Sequence, residues 1–161
     1  MDRFRAGALL LAAWLGCGAV ALGKPVIALH LTGVLIAKQA DGRTVQIPVA
    51  KVVLKKNDLV RYTIAAVNRG TSAALRLVTV GPVPKGTSYV GGSASPAPQT
   101  VLEYSLDGKT WSVRPTVAVK TPHGLVRRPA PASAYVAVRW RTSRALAPKA
   151  VFHYFYEVRV R

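Results

Sequence analysis

The chain has 161 residues, with 23 Lys and Arg against 6 Asp and Glu, so its formal net charge is +17. This length suits one domain with a core of its own. The only cysteine is Cys17, which excludes a disulfide framework and a cysteine-ligated zinc site in the rest of the chain. The charge favours polyanionic partners, because a basic surface raises their local concentration. A solvated basic surface without a ligand is the alternative interpretation.

The N-terminus has the layout of a secretory signal. Arg3 and Arg5 precede an apolar or small-residue run from Ala6 to Val20, and Ala21-Leu22-Gly23 fits the small-x-small rule of a signal peptidase site. The run is shorter than the ~20 apolar residues that a membrane span needs. We predict a cleavable signal peptide over residues 1–23 and export to the periplasm, the cell surface or the extracellular space.

Cys17 allows a second interpretation of this segment. Gly16 stands just before it, as in lipoprotein signals, so a lipid anchor at Cys17 is one alternative and an uncleaved anchor is another. Apolar sequence continues past Cys17 to Leu22, which favours cleavage after Gly23. Cleavage there removes two basic residues and one acidic residue, which leaves 21 and 5 and a net charge of +16.

Alternation of apolar and polar residues dominates after Gly23, and no helical stripe of convincing length is present. In the strand predicted over 135–141, Val136, Val138 and Trp140 are expected to point inward. Asp-Gly pairs at 41–42 and 107–108 indicate hairpin turns, and the proline-rich segment 121–133 is expected to be a loop. This pattern predicts an all-β protein, an antiparallel β-sandwich of about 7–9 strands. The predicted strands are 26–37, 44–49, 59–68, 75–80, 87–90, 101–106, 110–113, 135–141 and 151–161.

Several short phrases follow one another between residues 57 and 160. In order and spacing they resemble the conserved repeat domain of bacterial surface proteins, a family known as domain of unknown function eleven. The phrases are Asn57-Asp58 before Tyr62-Thr63-Ile64, Asn68-Arg69-Gly70, Val83-Pro84-Lys85-Gly86-Thr87-Ser88-Tyr89-Val90-Gly91-Gly92-Ser93, Tyr104-Ser105-Leu106-Asp107-Gly108-Lys109-Thr110-Trp111, Val138-Arg139-Trp140 and Glu157-Val158-Arg159-Val160.

The resemblance implies an immunoglobulin-like spacer or adhesion module over 57–161, without catalytic activity, on which lead-in strands over 24–56 pack. Two positions depart from the family pattern. Lys56-Asn57 replaces Pro-Gly, and Gly81 stands where members often carry Asp, so no metal site is carried over. The glycines among the matching residues are expected at positive φ. The residues expected to form the scaffold are Tyr62, Asn68, Gly70, Gly86, Tyr89, Gly92, Asp107, Gly108, Trp111 and Trp140.

Residues that carry chemistry are sparse. The three histidines, His30, His123 and His153, have no second ligand at metal-binding spacing, although the first and last strands would bring His30 near His153. No nucleophile elbow and no phosphate-cradling glycine loop occurs. We therefore predict no catalytic residue, metal or cofactor, and a metal-dependent secreted enzyme is the least favoured alternative.

Basic residues concentrate in the C-terminal third. Arginine binds planar sulfate, phosphate and carboxylate groups in bidentate fashion, so an envelope protein or an anionic polysaccharide is the expected partner. No motif for sequence-specific nucleic-acid recognition accompanies the charge. The apolar first strand indicates an alternative, assembly by strand addition into a larger surface structure, and the oligomeric state is left open. The predicted polyanion-binding residues are Arg127, Arg128, Arg139, Arg141, Arg144 and Lys149.

Overall fold

The computed structural model describes residues 23–161. The predicted signal peptide up to Leu22, and with it Cys17, lies outside the described residues. Runs rich in Val, Ile, Thr and Tyr form the strands, because branched and aromatic side chains pack well on a pleated surface. The strands are β1 Ile27–Lys38, β2 Thr44–Pro48, β3 Leu59–Asn68, β4 Val78–Pro82, β5 Thr87–Tyr89, β6 Thr100–Ser105, β7 Thr116–Thr121, β8 Gly124–Pro129, β9 Ala137–Thr142 and β10 Val151–Val160, with short 3-10 turns at Val49–Lys51 and Ala132–Ala134.

The strands form three antiparallel sheets, which confirms the prediction of an all-β, antiparallel protein. The first sheet has the order β2-β1-β3-β10-β5, the second β4-β9-β6, and β7 pairs with β8 as a separate hairpin. β1 pairs with β3 from Ile27 to Ile36, but with β2 only from Val34 to Lys38. Among residues 23–161, the first half of β1 therefore has a strand neighbour on one side only.

The inner faces of the first two sheets share one core. Trp140 of β9 is fully buried, and its ring lies 5.1 Å from that of Tyr154 and 6.1 Å from that of Tyr156, both on β10. The indole Nε1 donates a hydrogen bond to the carbonyl of Ser95 at 3.1 Å, so the one polar atom of this large side chain is satisfied. The core also contains Val60, Ile64, Ala66, Tyr89, Ala94, Val138 and Val158.

Two expectations about strands are wrong. The segment 121–133 is not one loop, because β8 lies inside it and forms a hairpin with β7. Its prolines do not prevent this, since Pro122 lies in the turn and Pro129 at the strand end. Residues 110–113 form no strand of their own and contribute a single bridge, between Ser112 and Tyr104.

Two expectations about single residues are also wrong. Val136 precedes β9 and is 42% exposed, whereas Val138 and Trp140 point inward as expected. Gly70 does not have a positive φ. A Cβ there would lie 2.2 Å from the Lys24 carbonyl oxygen, so close backbone approach is the reason for this glycine.

Candidate anion-binding site

Two predicted arginines lie side by side on the outer face of the second sheet. Arg139 Nε and Arg141 Nε donate to the same oxygen of Glu103, at 2.7 and 2.9 Å. These hydrogen bonds, with Arg139 the larger contributor, hold the pKa of the Glu103 carboxyl below its ordinary value despite its burial. One carboxylate therefore orients two guanidinium groups and neutralises one of their two charges.

Trp111 supports this pair from the turn after β6. The Arg139 guanidinium lies 4.5 Å above the centre of the Trp111 ring, within the range of a cation–π contact. The turn itself is built by Asp107, which accepts hydrogen bonds from the backbone N–H groups of Thr110 and Lys109. The same bonds hold the pKa of the Asp107 carboxyl far below its usual range. Gly108 supplies the positive φ of 75° that the turn requires.

A cleft of about 630 Å³ opens at the end of the sheet beside Arg141. Arg76 and Gln99 line it and both have a positive φ, 52° and 54°, which is unusual for residues other than glycine. The Ser143 N–H and hydroxyl both bond to the Gln99 carbonyl, at 2.9 and 3.2 Å, and so fix this turn. The Arg141 side chain is 52% exposed here. The cleft thus offers two cations beside the hydroxyl of Thr100.

A second cleft of about 240 Å³ lies on the other side of Trp111. Arg114 and Arg127 line it, and Arg127 Nη1 donates to the Thr116 hydroxyl at 3.0 Å. Trp111 lines this cleft and also contacts Arg139, which shares Glu103 with Arg141 of the first cleft. We call this surface the basic track: Arg76, Arg141, Arg139, Trp111, Arg114 and Arg127.

The other three predicted cations do not lie in this line. Arg128 follows Arg127 on β8 and points to the opposite face of the hairpin, because successive strand residues alternate. The Arg144 guanidinium lies 5.3 Å over the Phe152 ring, in a neighbouring cleft. Lys149 lies at the far end of β3, where its N–H donates to the Asn68 carbonyl. The predicted single face is therefore divided.

Sequence reasoning missed Arg76 and Arg114. Arg114 stands in an irregular segment outside the strands, and Arg76 precedes β4, which begins at Val78 and not at residue 75 as predicted. Arg76 reaches the track because β4 pairs with β9, which puts Val78 opposite Arg141. Such a long-range pairing leaves no local signal in the chain.

The matching residues of the family phrases have structural roles in the fold. Asn68 is fully buried; its amide donates to the carbonyls of Ser72 and Leu146, and its Oδ1 accepts from the N–H groups of Gly70 and Val26. Tyr62 stacks on Tyr156 at 5.6 Å.

Tyr89 lies at the end of β5, an edge strand of the first sheet, and the loop that follows packs against its side chain. The Tyr89 hydroxyl accepts a hydrogen bond from the Ala94 N–H, and its ring packs beside Tyr104 and Tyr135. Burial raises the pKa of the Tyr104 hydroxyl well above its usual range. Gly86 and Gly92 adopt the expected positive φ, at 79° and 73°.

Metal-binding groups are not assembled in the part of the chain that the structure describes. Within residues 23–161 no three His, Cys, Asp or Glu side chains lie together. His30 and His153 are both in register with Ala65 of β3, which stands between them. His30 Nε2 instead lies 3.2 Å from Arg69 Nη2.

The comparisons with known proteins add no relative. No family model, curated protein or solved structure matches the chain. None of the helical segments within residues 23–161 has the length and apolar character needed to cross a bilayer.

Proposed function

We propose that this protein is an exported, non-catalytic module of the cell envelope that binds an anionic polysaccharide along the basic track. The main observation in support is the placement of Arg139 and Arg141. Glu103 accepts hydrogen bonds from both, and the Trp111 ring packs against Arg139. Holding an arginine in place before binding lowers the entropy lost when an anion docks. Carboxylate or sulfate groups on a polymer fit such a row, because guanidinium groups bind both in bidentate fashion.

The charge distribution supports a polymer over a single small anion. Between Asp107 and Glu157 the sequence has no acidic residue, and four of the five track arginines, the exception being Arg76, lie in this interval. The track joins two clefts across the outer face of a sheet, so several anionic groups of one chain can be bound at once. Multiple engagement raises the overall affinity without new contacts at any one site.

The proposed architecture is an immunoglobulin-like sandwich of the conserved repeat type. Two antiparallel sheets that share an aromatic core support it. The departure at Gly81 has a physical reason in this chain, since a Cβ there would lie 2.6 Å from the buried Tyr156 ring. An Asp would not fit at this position.

Binding of a sulfated or uronic-acid polysaccharide tests the proposal. In the variant Arg76→Gln/Arg114→Gln/Arg127→Gln we expect at least a tenfold loss of affinity for dextran sulfate at 0.15 M salt, since three ion contacts of about 0.5–1 kcal/mol are lost. These three residues are chosen because none of them bonds Glu103. The measurement is a titration by isothermal calorimetry at several salt concentrations.

The matched control is Lys38→Gln/Lys51→Gln/Lys56→Gln, which removes the same charge from exposed positions away from the track. We expect its affinity to stay within about threefold of the parent protein. If both triple variants lose affinity equally, the binding depends on net charge alone and the track is not a site. Absent or salt-insensitive binding by the parent protein contradicts the whole proposal.

Strand addition is a second candidate function, and the free edge of β1 favours it. Within the part of the chain that the structure describes, this strand pairs from Ile27 to Gly33 with β3 alone. Leu29 and Leu31 face the same side as their buried register partners on β3, yet they are 54% and 51% exposed. An unprotected apolar edge of this kind is a template for another strand, and a second copy of the chain can supply it.

Sedimentation over a concentration range tests this candidate. Strand addition predicts self-association that Leu31→Lys abolishes, because a lysine on the edge opposes pairing. The control Val53→Lys places the same charge at an exposed residue in the loop before β3 and is expected to leave association unchanged. A strictly monomeric parent protein contradicts the candidate.

A further inference from the structure

The β7–β8 hairpin stands apart from both large sheets. Its strands pair with each other from Thr116↔Pro129 to Thr121↔Gly124, and neither strand belongs to another sheet. Every residue of β8 is exposed. A two-stranded hairpin by itself is marginally stable in water, so a surface that receives the hairpin would add to its stability.

Apolar side chains lie exposed next to the tip of this hairpin. Pro122 and His123 form the two-residue turn, and Gly124 allows it with a φ of 111°. Leu125 follows with 76% of its surface exposed and Val126 with 43%. A leucine this exposed at the end of a projecting arm has no role in the core of the protein.

Cations flank these apolar residues, and neither strand of the hairpin contains an acidic residue. Lys120 pairs with Leu125, while Arg127 and Arg128 follow two and three residues behind it on β8. The nearest acidic residues in the sequence are Asp107 and Glu157. An apolar tip with a collar of cations is complementary to an anionic lipid surface, which offers phosphates above an apolar layer.

The spacing along the hairpin matches such a surface. With a rise of about 3.3 Å per residue, Leu125 and Val126 lie within about 7 Å of the tip and the two arginines about 10–13 Å from it. Side chains at an interface enter about 5–10 Å into the boundary between headgroups and acyl chains. The arginines then stand at the phosphates, and the long side chain of Lys120 extends upward to the same level.

We propose that the β7–β8 hairpin is a membrane-docking arm that inserts Leu125 and Val126 into an anionic lipid surface. An acidic polysaccharide has no apolar layer that would receive these two side chains. Polysaccharide binding would therefore account for the basic residues of the arm but not for its exposed apolar residues. Arg127 belongs to both surfaces. Leu125, Val126, Lys120 and Arg128 lie outside the basic track, so substitutions there test the arm separately from polymer binding.

An environment-sensitive dye at the tip tests the proposal in the full-length chain. Cys17→Ser removes the only native thiol, and Leu125→Cys then carries an NBD label. With vesicles of 70% phosphatidylcholine and 30% phosphatidylglycerol we expect a several-fold rise and a blue shift of its emission, and little change with pure phosphatidylcholine. The control label is at Val53→Cys, an exposed apolar position outside the hairpin, where no shift is expected.

Two further variants separate the parts of the arm. Lys120→Gln/Arg128→Gln is expected to lower vesicle affinity about tenfold or more, while Lys38→Gln/Lys51→Gln, with the same charge change, lowers it less than threefold. Leu125→Ser/Val126→Ser is expected to weaken vesicle binding about tenfold and to leave dextran sulfate affinity unchanged. A label at 125 that does not respond to anionic vesicles, or responds equally to neutral ones, overturns the proposal. A loss of dextran sulfate binding in the serine variant also overturns it, since the tip would then be part of a polymer site.

Discussion

At the scale of single residues, Asn68 connects parts of the chain that are far apart in sequence. Its side chain bonds four backbone groups, two of them at Val26 and Leu146. The sequence alone predicted a scaffold role at a strand end, because asparagine often bonds the backbone there. The identity of the distant partners depends on how β1 and β10 pair with β3, which no local motif encodes.

Asn68→Ala is expected to lower the free energy of unfolding by about 2–3 kcal/mol, because buried backbone groups lose their partners. Urea denaturation followed by circular dichroism measures this. The control Gln46→Ala, at an exposed amide on β2, is expected to change the free energy by less than about 0.5 kcal/mol. Equal effects of the two substitutions would show that Asn68 has no special structural role.

Glu103 makes the stability of the second sheet depend on pH. Its folded pKa is lowered by Arg139 and Arg141, so its carboxylate stabilises the fold above the unfolded carboxyl pKa of about 4.3. That contribution is lost as the pH falls through the lower folded pKa. Glu103→Gln is therefore expected to be less stable than the parent protein at pH 7, with a difference that narrows below about pH 4.

Urea denaturation at pH 7, 4 and 2 measures this narrowing. Asp41→Asn is the control, because the Asp41 carboxylate is 49% exposed beside Arg43 and exposed ion pairs contribute little. A stability difference for Glu103→Gln that is constant from pH 7 to pH 2 contradicts the assigned role.

At the scale of elements, β3 was predicted at its observed bounds, whereas both strands of the β7–β8 hairpin were missed. β3 follows the predicted bounds, since its inward Val60, Ile64 and Ala66 alternate with more polar residues. β8 was missed because Arg127-Arg128 and the three prolines of 121–133 indicated a loop, and the hairpin is visible only once its register with β7 is known. Alternation reports burial on one face, and a strand that is exposed on both faces leaves no such trace.

β4 gives a prediction about close packing between the two sheets. Gly81 faces the fully buried Tyr156, whose hydroxyl donates to the carbonyl of Pro82 at 2.5 Å. Trp140 and Tyr62 pack on the same ring, so it cannot move away from an added methyl group. Gly81→Ala is expected to lower the free energy of unfolding by about 1–3 kcal/mol through overpacking.

Val80→Ala is the control on the same strand, because Val80 is 42% exposed on the outer face. The Val80→Ala substitution is expected to lower the free energy of unfolding by less than about 1 kcal/mol, measured by the same urea titration. A Gly81→Ala protein as stable as the parent would mean that the sheets separate more easily than this packing implies.

At the scale of the whole molecule, the basic surface was predictable from composition, whereas its organisation was not. The sequence places Arg139 and Arg141 two residues apart in one strand, so they share a face of the sheet. It could not show that they share Glu103, because Glu103 lies 36 residues away from Arg139 and meets it only through the pairing of β6 with β9. Arg76 joins the same surface through the pairing of β4 with β9, whereas Arg114 lines the cleft beside its sequence neighbour Trp111.

The excess of cations predicts a characteristic response of the protein to salt. A net charge of +16 over residues 24–161 opposes the compact state through self-repulsion, and added salt screens charges beyond about 10 Å at 0.1 M. The melting temperature of the protein without ligand is therefore expected to rise between 0.02 and 0.3 M sodium chloride. With dextran sulfate present, the melting temperature is expected to fall as the salt concentration rises, because salt weakens the binding that stabilises the folded chain. Scanning calorimetry with and without the polymer measures both trends. The triple variant at Arg76, Arg114 and Arg127 should keep the rise of melting temperature with salt in the absence of polymer. It should lose most of the fall with salt in the presence of polymer. If dextran sulfate changes the melting temperature of that variant as much as that of the parent protein, the polymer binds anywhere on the basic surface and the basic track is not a site.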